Sequence, residues 1–405
     1  MKPPHRAVPA FDAVLALCCA LIAFAALFLS VAGGREYLGS LDFRVYLTAG
    51  KMALNRTGAN FYDLPTQFAV QRELWPEMTS QKQLLPFLAP PFVAASFAPL
   101  AALPISIGYG VLTFANALLL FFLGRGLVEE IGLEGKKRLV ALALVLSFAP
   151  VLFAVMQGQV SLLVVLGFFQ SFRAAKSGRD FSAGLWLCLL LIRPQMAIAP
   201  LLIFAWKGKW RLLAGFMLGA AILGAISLFL VGFEGLASYK TLLGEVSNWK
   251  GIYGVQPQQM QTWRGFLHAL FGSDEASVIR WPWILGVVAA LGALIWSWRG
   301  PWRPETPRFE RQWAILGLVA LFCCPYLYSH DLSLLLVCGF LVFRAAQIEE
   351  SKLKLLPLVG WAATLAWAIL LMASVPIPSL VVLFEAAAIL VLARNDFDLK
   401  IKLRA

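Results

Sequence analysis

The sequence predicts an all-α protein that crosses a membrane many times, and its composition carries this prediction. Of its 405 residues, 60% are hydrophobic and only 14% are charged, and the mean hydropathy is +0.77. Soluble globular domains contain roughly 45–50% apolar and 25% charged residues. Disordered chains are rich in charge and poor in apolar residues. The composition therefore excludes both classes and leaves a polytopic membrane protein.

The apolar runs give the order of the predicted helices. A membrane helix needs about 20 apolar residues, or fewer where it is short and surrounded by protein. We treat the chain, 1–405, as one integral membrane domain without internal repeats. The runs that qualify are 12–32, 105–123, 139–156, 158–172, 181–206, 211–232, 281–298, 312–328, 331–343, 355–373 and 376–393.

The basic residues predict the topology. Most of the 34 lysines and arginines lie in short connections such as 136–138 and 299–311, and short basic loops stay in the cytoplasm. We therefore expect about twelve spans with both termini inside. The two long loops, 33–104 and 233–280, then lie outside and carry juxtamembrane helices. On this topology the net charge of +12 is an orientation signal and does not indicate a nucleic-acid partner.

The first run, 12–32, lacks a clear small-residue cleavage site, so we expect it to remain as a span. We expect a multi-pass protein of a bacterial inner (plasma) membrane. All six cysteines lie inside apolar runs, which argues against a disulfide framework. Asp42 and Asp63 have no other ligand at metal-binding spacing, so no metal site and no cofactor are expected.

The apolar run 181–206 is expected to break into two short helices. A continuous helix over 181–206 would bury Arg193, and a charge at the centre of a span costs roughly 2.5–3.5 kcal/mol. Pro194 breaks helices, so we predict two short helices that meet at an outward tip. The runs 139–156 and 158–172 have the same form, with Gln157 and Gln159 at their tip. Helices this short are expected to line a cavity open to the outer face.

The proline-rich stretch 84–104 is predicted to be re-entrant or juxtamembrane, since its prolines argue against a continuous helix. Before it, Ser40 is placed to cap a helix from Leu41 whose face of Phe43, Tyr46 and Leu47 would lie along the membrane surface. Asp42 in the first turn of that helix has two interpretations. It either favours the helix dipole or acts as a general base at the mouth of the cavity.

The other polar tips also have two interpretations each. Gln157 and Gln159 form either a polar turn or a site for sugar hydroxyls, because amides both donate and accept hydrogen bonds. Arg193 makes either an internal ion pair or a contact to phosphate, which suits its forked donors.

The segment 326–331 is either a tyrosine anchor or a site in which His330 donates to phosphate and Asp331 orients the ring. Glu385 lies within a predicted span. There it is either functional or paired with a neighbouring helix.

Taken in order, these segments resemble glycosyltransferase family 87, the polyprenyl-phosphate-mannose-dependent mannosyltransferases of the GT-C superfamily. The resemblance covers about 38–345. Its motifs are Leu41-Asp42-Phe43 with Tyr46, Phe61-Tyr62-Asp63, Ala89-Pro90-Pro91-Phe92, Pro99-Leu100-Ala101-Ala102-Leu103-Pro104, Gly158-Gln159, Ala183-Gly184-Leu185, Arg193-Pro194, Cys324-Pro325-Tyr326 and His330-Asp331. The chain departs from the family pattern at Arg193, where lysine is commoner, at Ser161 and at 256–259.

The resemblance implies an inverting transfer of a hexose, mannose in most of the family, from a polyprenyl phosphate to a lipid or glycan acceptor at the outer face. It implies that Asp42 is the catalytic base and that Arg193 and His330 bind the donor phosphate. The partners it implies are the donor, the acceptor and membrane lipids, without nucleic acid. The residues expected to bind substrate are Arg44, Tyr46, Gln157, Gln159, Gln258, Tyr328 and Asp331.

Two other classes use similar helices. A transporter or lipid flippase of envelope precursors also contains broken helices and buried charges. Two features argue against this class: the sequence has no visible inverted repeat, and its two long loops are concentrated at one face. A non-catalytic membrane subunit would need no acid at a cavity.

Overall fold

The computed structural model describes residues 9–246, 249, 251–272, 276–373 and 378–402, and every regular element within these ranges is helical. The α-helices are α1 (Pro9–Ser40), α2 (Phe43–Leu54), α3 (Leu64–Leu74), α4 (Pro91–Ala101), α5 (Ile105–Ile131), α6 (Lys136–Leu146), α7 (Ala149–Met156), α8 (Ser161–Lys176), α9 (Asp180–Leu187), α10 (Pro194–Trp206), α11 (Trp210–Val246), α12 (Trp263–Phe271), α13 (Ala276–Ser297), α14 (Pro307–Phe322), α15 (Leu334–Ile348), α16 (Leu356–Met372) and α17 (Leu380–Lys402). Short 3₁₀ helices lie at Gly58–Tyr62, Gln81–Gln83, Cys188–Ile192, Pro257–Gln259, Ser329–Ser333 and Lys352–Leu355.

The helices confirm a polytopic membrane protein. Among the described residues, six helical segments are long and apolar enough to cross a membrane, and the bent pair α6 and α7 makes a seventh if it is one span. The six segments are Ala10–Ser40, Ile105–Ile131, Trp210–Val246, Val278–Ser297, Ser329–Ile348 and Lys352–Met372. The expected count of about twelve is not confirmed, because several apolar runs form helices too short to meet that criterion.

The predicted break at Pro194 is confirmed. The chain leaves α9 through the 3₁₀ helix Cys188–Ile192, and α10 begins at Pro194. Proline suits the first position of a helix because its N–H would have no partner there. The run 139–156 is also broken, at Ser147 and Phe148, where α6 and α7 meet at 51°. Sequence analysis did not predict that second break.

The chain around Ser40 differs from the prediction. α1 continues through a kink at Gly34 as far as Ser40, whose hydroxyl donates to the carbonyl of Tyr37 instead of capping the next helix. α2 begins at Phe43, with Asp42 at its N-cap position. The apolar face of α2 is buried inside the protein, where the Tyr46 ring stacks on Phe97. That face therefore contributes to the protein core and does not lie on the membrane surface.

The prediction that 84–104 would not form one continuous helix is confirmed, and its placement as a re-entrant or juxtamembrane segment stays a prediction. The chain runs without helix from Leu84 to Pro90 and then forms α4, which has only 11 residues and is followed directly by α5. The same stretch brings the backbone of 85–89 to the wall of the cavity described below.

Helices α1 and α5 run antiparallel and define two ends of the molecule. At one end Asp12 lies 3.3 Å from Arg125. At the other end the rings of Phe43 and Tyr109 are 5.3 Å apart. Asp42 directly precedes Phe43, so the candidate site lies at the second end.

The first end carries an ionic network. Glu130 contacts Arg173 at 3.6 Å, Lys176 at 3.3 Å and Arg344, and Lys176 also contacts Glu310 at 2.6 Å. These residues belong to the connections that are predicted to be cytoplasmic. The basic clusters of the sequence and the candidate site therefore lie at opposite ends of the helices.

Candidate active site

A cavity of about 430 Å³ lies at the second end of the molecule. Its walls come from α2, the stretch 85–89, the start of α10, the last turns of α11, the segment from Trp249 to Arg264, and 325–331. Segments far apart in the chain meet here, so the cavity is a product of the tertiary fold. It is large enough to hold a small ligand.

Asp42 is held at the edge of this cavity by two glutamines. The amide nitrogen Nε2 of Gln159 donates to Oδ2 of Asp42 at 2.6 Å, and the backbone N–H of Asp42 donates to Oε1 of Gln157 at 3.1 Å. The side chain of Asp42 is 37% exposed, and its Oδ1 has no hydrogen-bond partner within the described residues. One carboxylate oxygen is therefore fixed while the other is available to a substrate.

The turn between α7 and α8 makes this arrangement possible. Gly158 has φ +65°, a conformation that glycine adopts without strain, and a Cβ at this position would lie 2.8 Å from Cβ of Phe43. The backbone N–H of Phe43 donates to the carbonyl of Gln157 at 2.9 Å. The close approach of the turn to α2 brings both glutamines to Asp42.

The orientation of the Gln159 amide follows from its partners. The hydroxyl of Tyr46 donates to Oε1 of Gln159 at 2.6 Å, which directs Nε2 towards Asp42. The amide nitrogen of Asn116 donates to the backbone carbonyl of Gln159 at 3.1 Å. Tyr46 is buried, and burial raises the pKa of its hydroxyl, so it remains a donor at neutral pH.

Arg193 is paired within the protein. Its Nε lies 3.1 Å from Oδ1 of Asp331, and its Nη2 lies 3.4 Å from the Tyr46 hydroxyl and from Oε1 of Gln159. Burial by itself disfavours the charged guanidinium, but the carboxylate of Asp331 and the hydroxyl of Tyr46 together outweigh it and raise the pKa of Arg193. Of the two interpretations of Arg193, the internal ion pair is the one present in the structure. The guanidinium nitrogen Nη1 has no hydrogen-bond partner among the described residues.

His330 lies between two carboxylates. Its Nδ1 is 3.7 Å from Oδ2 of Asp42, and its Nε2 is 3.3 Å from Oδ2 of Asp331. Asp331 also accepts a hydrogen bond from the hydroxyl of Ser161 at 3.0 Å. The imidazole can therefore accept or release a proton next to Asp42 while Asp331 orients the ring.

The remaining expected site residues are divided between the cavity and other places. Tyr328 lines the cavity, and its hydroxyl accepts from the backbone N–H of Gln256 at 3.1 Å. Gln157 supports the backbone at Asp42 but is not in the lining. Arg44 donates to the carbonyl of Gln83 at 2.8 Å, and Gln258 is exposed; neither contributes to the lining.

Sequence analysis missed several residues of the lining, including Arg264, Tyr239 and Trp249. Arg264 occupies a polar position of the amphipathic helix α12, which by itself only indicates exposure to water. The only local signal was that Arg264 is adjacent in sequence to the aromatic stripe of α12, in the second long loop. That signal does not specify a direction towards the cavity.

Glu385 is fully buried, and neither of its carboxyl oxygens has a hydrogen-bond partner among the described residues. It does not line the cavity. No group of three or more His, Cys, Asp or Glu side chains that could hold a metal ion occurs in the part of the chain that the structure describes.

The fold and the cavity define a polytopic membrane protein with acids, amides and cations gathered at one end of its helices. The sequence model of glycosyltransferase family 87 matches residues 87–325, which is more than half of the chain. The protein belongs to this family and is a glycosyltransferase. The matched region contains Gln159, Arg193 and Arg264, whereas Asp42 and His330 lie outside it.

Neither the curated proteins nor the solved structures include a significant match to the chain. Membership of a glycosyltransferase family favours the enzyme over the transporter and the non-catalytic subunit that the sequence left open.

Proposed function

We propose that this glycosyltransferase moves a hexose, mannose in the first instance, from a polyprenyl-phosphate donor to a lipid or glycan acceptor, with inversion at the anomeric carbon. One observation carries the proposal. Oδ2 of Asp42 is held by Gln159 at 2.6 Å at the edge of a 430 Å³ cavity, while Oδ1 is without a partner among the described residues. This is the arrangement that a general base needs.

In the proposed reaction, Asp42 takes the proton of an acceptor hydroxyl while that oxygen attacks the anomeric carbon. A bond forms between the acceptor oxygen and the sugar, and the bond between the sugar and the phosphate oxygen breaks. The electron pair of the broken bond leaves with the polyprenyl phosphate. The proton is then held by Asp42, from which the nearby imidazole of His330 can relay it.

The leaving phosphate gains one negative charge, and cations next to it lower the barrier. Arg193 lines the cavity, and its Nη1 has no partner within the described ranges. His330 lines the cavity beside it. We propose that both face the phosphate group. Tyr46, Gln159, Tyr328 and Asp331, which line the same cavity, are proposed to contact the sugar or the acceptor.

The polyprenyl chain requires an apolar wall. The side of the cavity formed by Leu243, Val246 and Met260 is suitable, because it removes methylene groups from water. Arg44 and Gln258 lie outside the lining and are not part of this proposal.

We further propose that the cavity opens on the extracytoplasmic face of a bacterial inner membrane and that both termini are cytoplasmic. The distribution of basic residues supports this orientation, since the ionic network around Glu130 lies at the opposite end of the helices from Asp42. Single-domain organisation, with outer loops at 33–104 and 233–280, is part of the same proposal.

The test is transfer of radiolabel from polyprenyl-phosphate-mannose to membrane acceptors, with wild type compared with Asp42→Asn. We expect a loss of about 100-fold or more, because asparagine cannot accept the proton. Asp63→Asn is the matched control: Asp63 caps α3 by accepting from the N–H of Thr66 at 2.9 Å, a role that asparagine also fills.

Three outcomes of this experiment would contradict different parts of the proposal. Full activity of Asp42→Asn would exclude Asp42 as the base. Transfer from polyprenyl-phosphate-glucose but not from the mannose donor would show that the transferred hexose is glucose. No transfer from any such donor would exclude the donor class.

A further inference from the structure

Arg264 is a cation of the cavity wall, and no acidic side chain in the described part of the chain is paired with it. It lies on α12, is partly buried and lines the same cavity as Asp42. It makes no ion pair and no hydrogen bond through its side chain with any residue in the described ranges. Burial lowers the pKa of its guanidinium, which nevertheless stays protonated at neutral pH.

Arg193 differs from Arg264 because its charge is compensated by a carboxylate within the protein. Arg193 is compensated by Asp331 at 3.1 Å and also contacts Tyr46 and Gln159. The lining near Arg193 contains two carboxylates, Asp42 and Asp331, against the one guanidinium of Arg193. A phosphate group that enters therefore requires a further cation, and Arg264 supplies one.

α12 holds Arg264 in place. The hydroxyl of Thr262 accepts from the N–H of Gly265 at 3.1 Å and so caps the helix. The indole of Trp263 donates to the carbonyl of Pro282 at 2.9 Å and stacks on Phe322 at 5.5 Å. Because both neighbours of Arg264 are fixed, little backbone freedom is lost when it binds an anion.

The surroundings of Arg264 suit a phosphate that carries a lipid chain. Leu243, Val246, Trp249 and Met260 line the same cavity and give it an apolar wall. A fork of guanidinium donors matches the oxygens of a phosphate group. An uncompensated cation and an apolar wall in one cavity are complementary to a prenyl phosphate.

We propose that Arg264 binds the phosphate of the polyprenyl-phosphate donor and of the polyprenyl phosphate that leaves. The inference rests on the proposed function and adds to it a residue that touches the donor. Arg193 faces the phosphate while it is paired with Asp331, and Arg264 adds a second guanidinium that has no carboxylate partner among the described residues. Arg264 contributes more to binding of the product than of the donor, because the phosphate gains one negative charge when the sugar is transferred.

The test is equilibrium binding of polyprenyl phosphate, and of the uncharged polyprenol of the same length, to the purified full-length protein in detergent. Arg264→Gln and Arg264→Lys are compared with wild type, and Arg72→Gln, at an exposed outer-loop arginine outside the lining, is the control. Thermal denaturation of each variant establishes that it is folded.

We expect Arg264→Gln to weaken binding of polyprenyl phosphate about tenfold or more, the effect of one charge-assisted hydrogen bond. Binding of polyprenol and the behaviour of Arg72→Gln should be unchanged. Arg264→Lys should retain part of the preference for the phosphate. In transfer assays the KM for the donor should rise more than that for the acceptor.

Three results would overturn the proposal. The first is that Arg264→Gln binds polyprenyl phosphate as tightly as wild type, and the second is that its binding of polyprenol and of polyprenyl phosphate weakens equally. In both cases the assignment of Arg264 fails while the proposed function stands. If wild type itself binds no polyprenyl phosphate, the donor class is wrong and the proposed function fails with the inference.

Discussion

The Nε atom of Arg193 lies 3.1 Å from Oδ1 of Asp331, although the two residues are 138 positions apart in the chain. Arg193 directly precedes α10, and Asp331 belongs to the 3₁₀ helix before α15. Their side chains are only 17% and 4% exposed. The ion pair links the start of α10 to the 3₁₀ helix before α15, and both residues line the cavity. It therefore contributes both to the fold and to the position of Tyr46 and Gln159.

Asp331→Asn should destabilise the protein strongly, because it leaves the guanidinium of Arg193 buried without its anion. Breaking a buried pair on one side costs about 3–5 kcal/mol. Thermal denaturation in detergent measures the change. The control is Asp180→Asn, which removes an ion pair of the same length, 3.1 Å to Lys209, at a more exposed place; there the loss should be about 1 kcal/mol or less. Equal losses in the two variants would show that Asp331 does not stabilise Arg193.

Gln159→Glu should inactivate the enzyme at neutral pH and move the acidic limb of its activity profile to higher pH. The substitution replaces the donor 2.6 Å from Asp42 by a second carboxylate, and two adjacent carboxylates resist being ionised together. Gln159→Met, which removes the donor without adding charge, is the control and should lower activity with a smaller shift. Initial rates between pH 5 and about pH 9 measure both effects. An unshifted profile in Gln159→Glu would mean that Gln159 does not contact Asp42 in the working enzyme.

Single cysteines should report opposite sides of the membrane at Glu77 and Glu134, both of which are exposed. Glu77 precedes the cavity wall in the first long loop, and Glu134 adjoins the basic connection 136–138. A membrane-impermeant thiol reagent should label Glu77→Cys in intact cells and Glu134→Cys only after permeabilisation, because basic loops stay in the cytoplasm. The unsubstituted chain gives the background from its own cysteines. Labelling with the sides reversed would place the cavity in the cytoplasm.

Local chemistry was sufficient to predict some elements. A helix through Arg193 would bury a charge, and proline suits the first position of a helix, so the boundary before α10 could be predicted from Arg193 and Pro194. Asp42 could be selected as a candidate because an acid lies at the start of an apolar helix in a loop that was predicted to be outside. The length of α1 and the bend between α6 and α7 could not be predicted, since neither follows from hydropathy alone.

The partners of the polar residues were beyond prediction. Sequence analysis left the internal ion pair and the phosphate contact of Arg193 equally open, and the structure contains the ion pair with Asp331. It placed Arg44 and Gln258 in the site, and they lie outside the cavity lining. It omitted Arg264, which has no local feature that distinguishes an arginine facing a cavity from one facing water.

The sequence by itself determined the membrane class, the helix break before Pro194 and most of the polar residues from which a site could be built. These properties depend on composition and on near neighbours in the chain. Only the tertiary structure decided that Gln159 holds Asp42 across 117 residues, that Arg193 is paired with Asp331 and that Arg264 has no ion pair within the described residues. The reason is physical: whether a charge is paired depends on atoms a few ångströms away in space, and helix packing sets those distances.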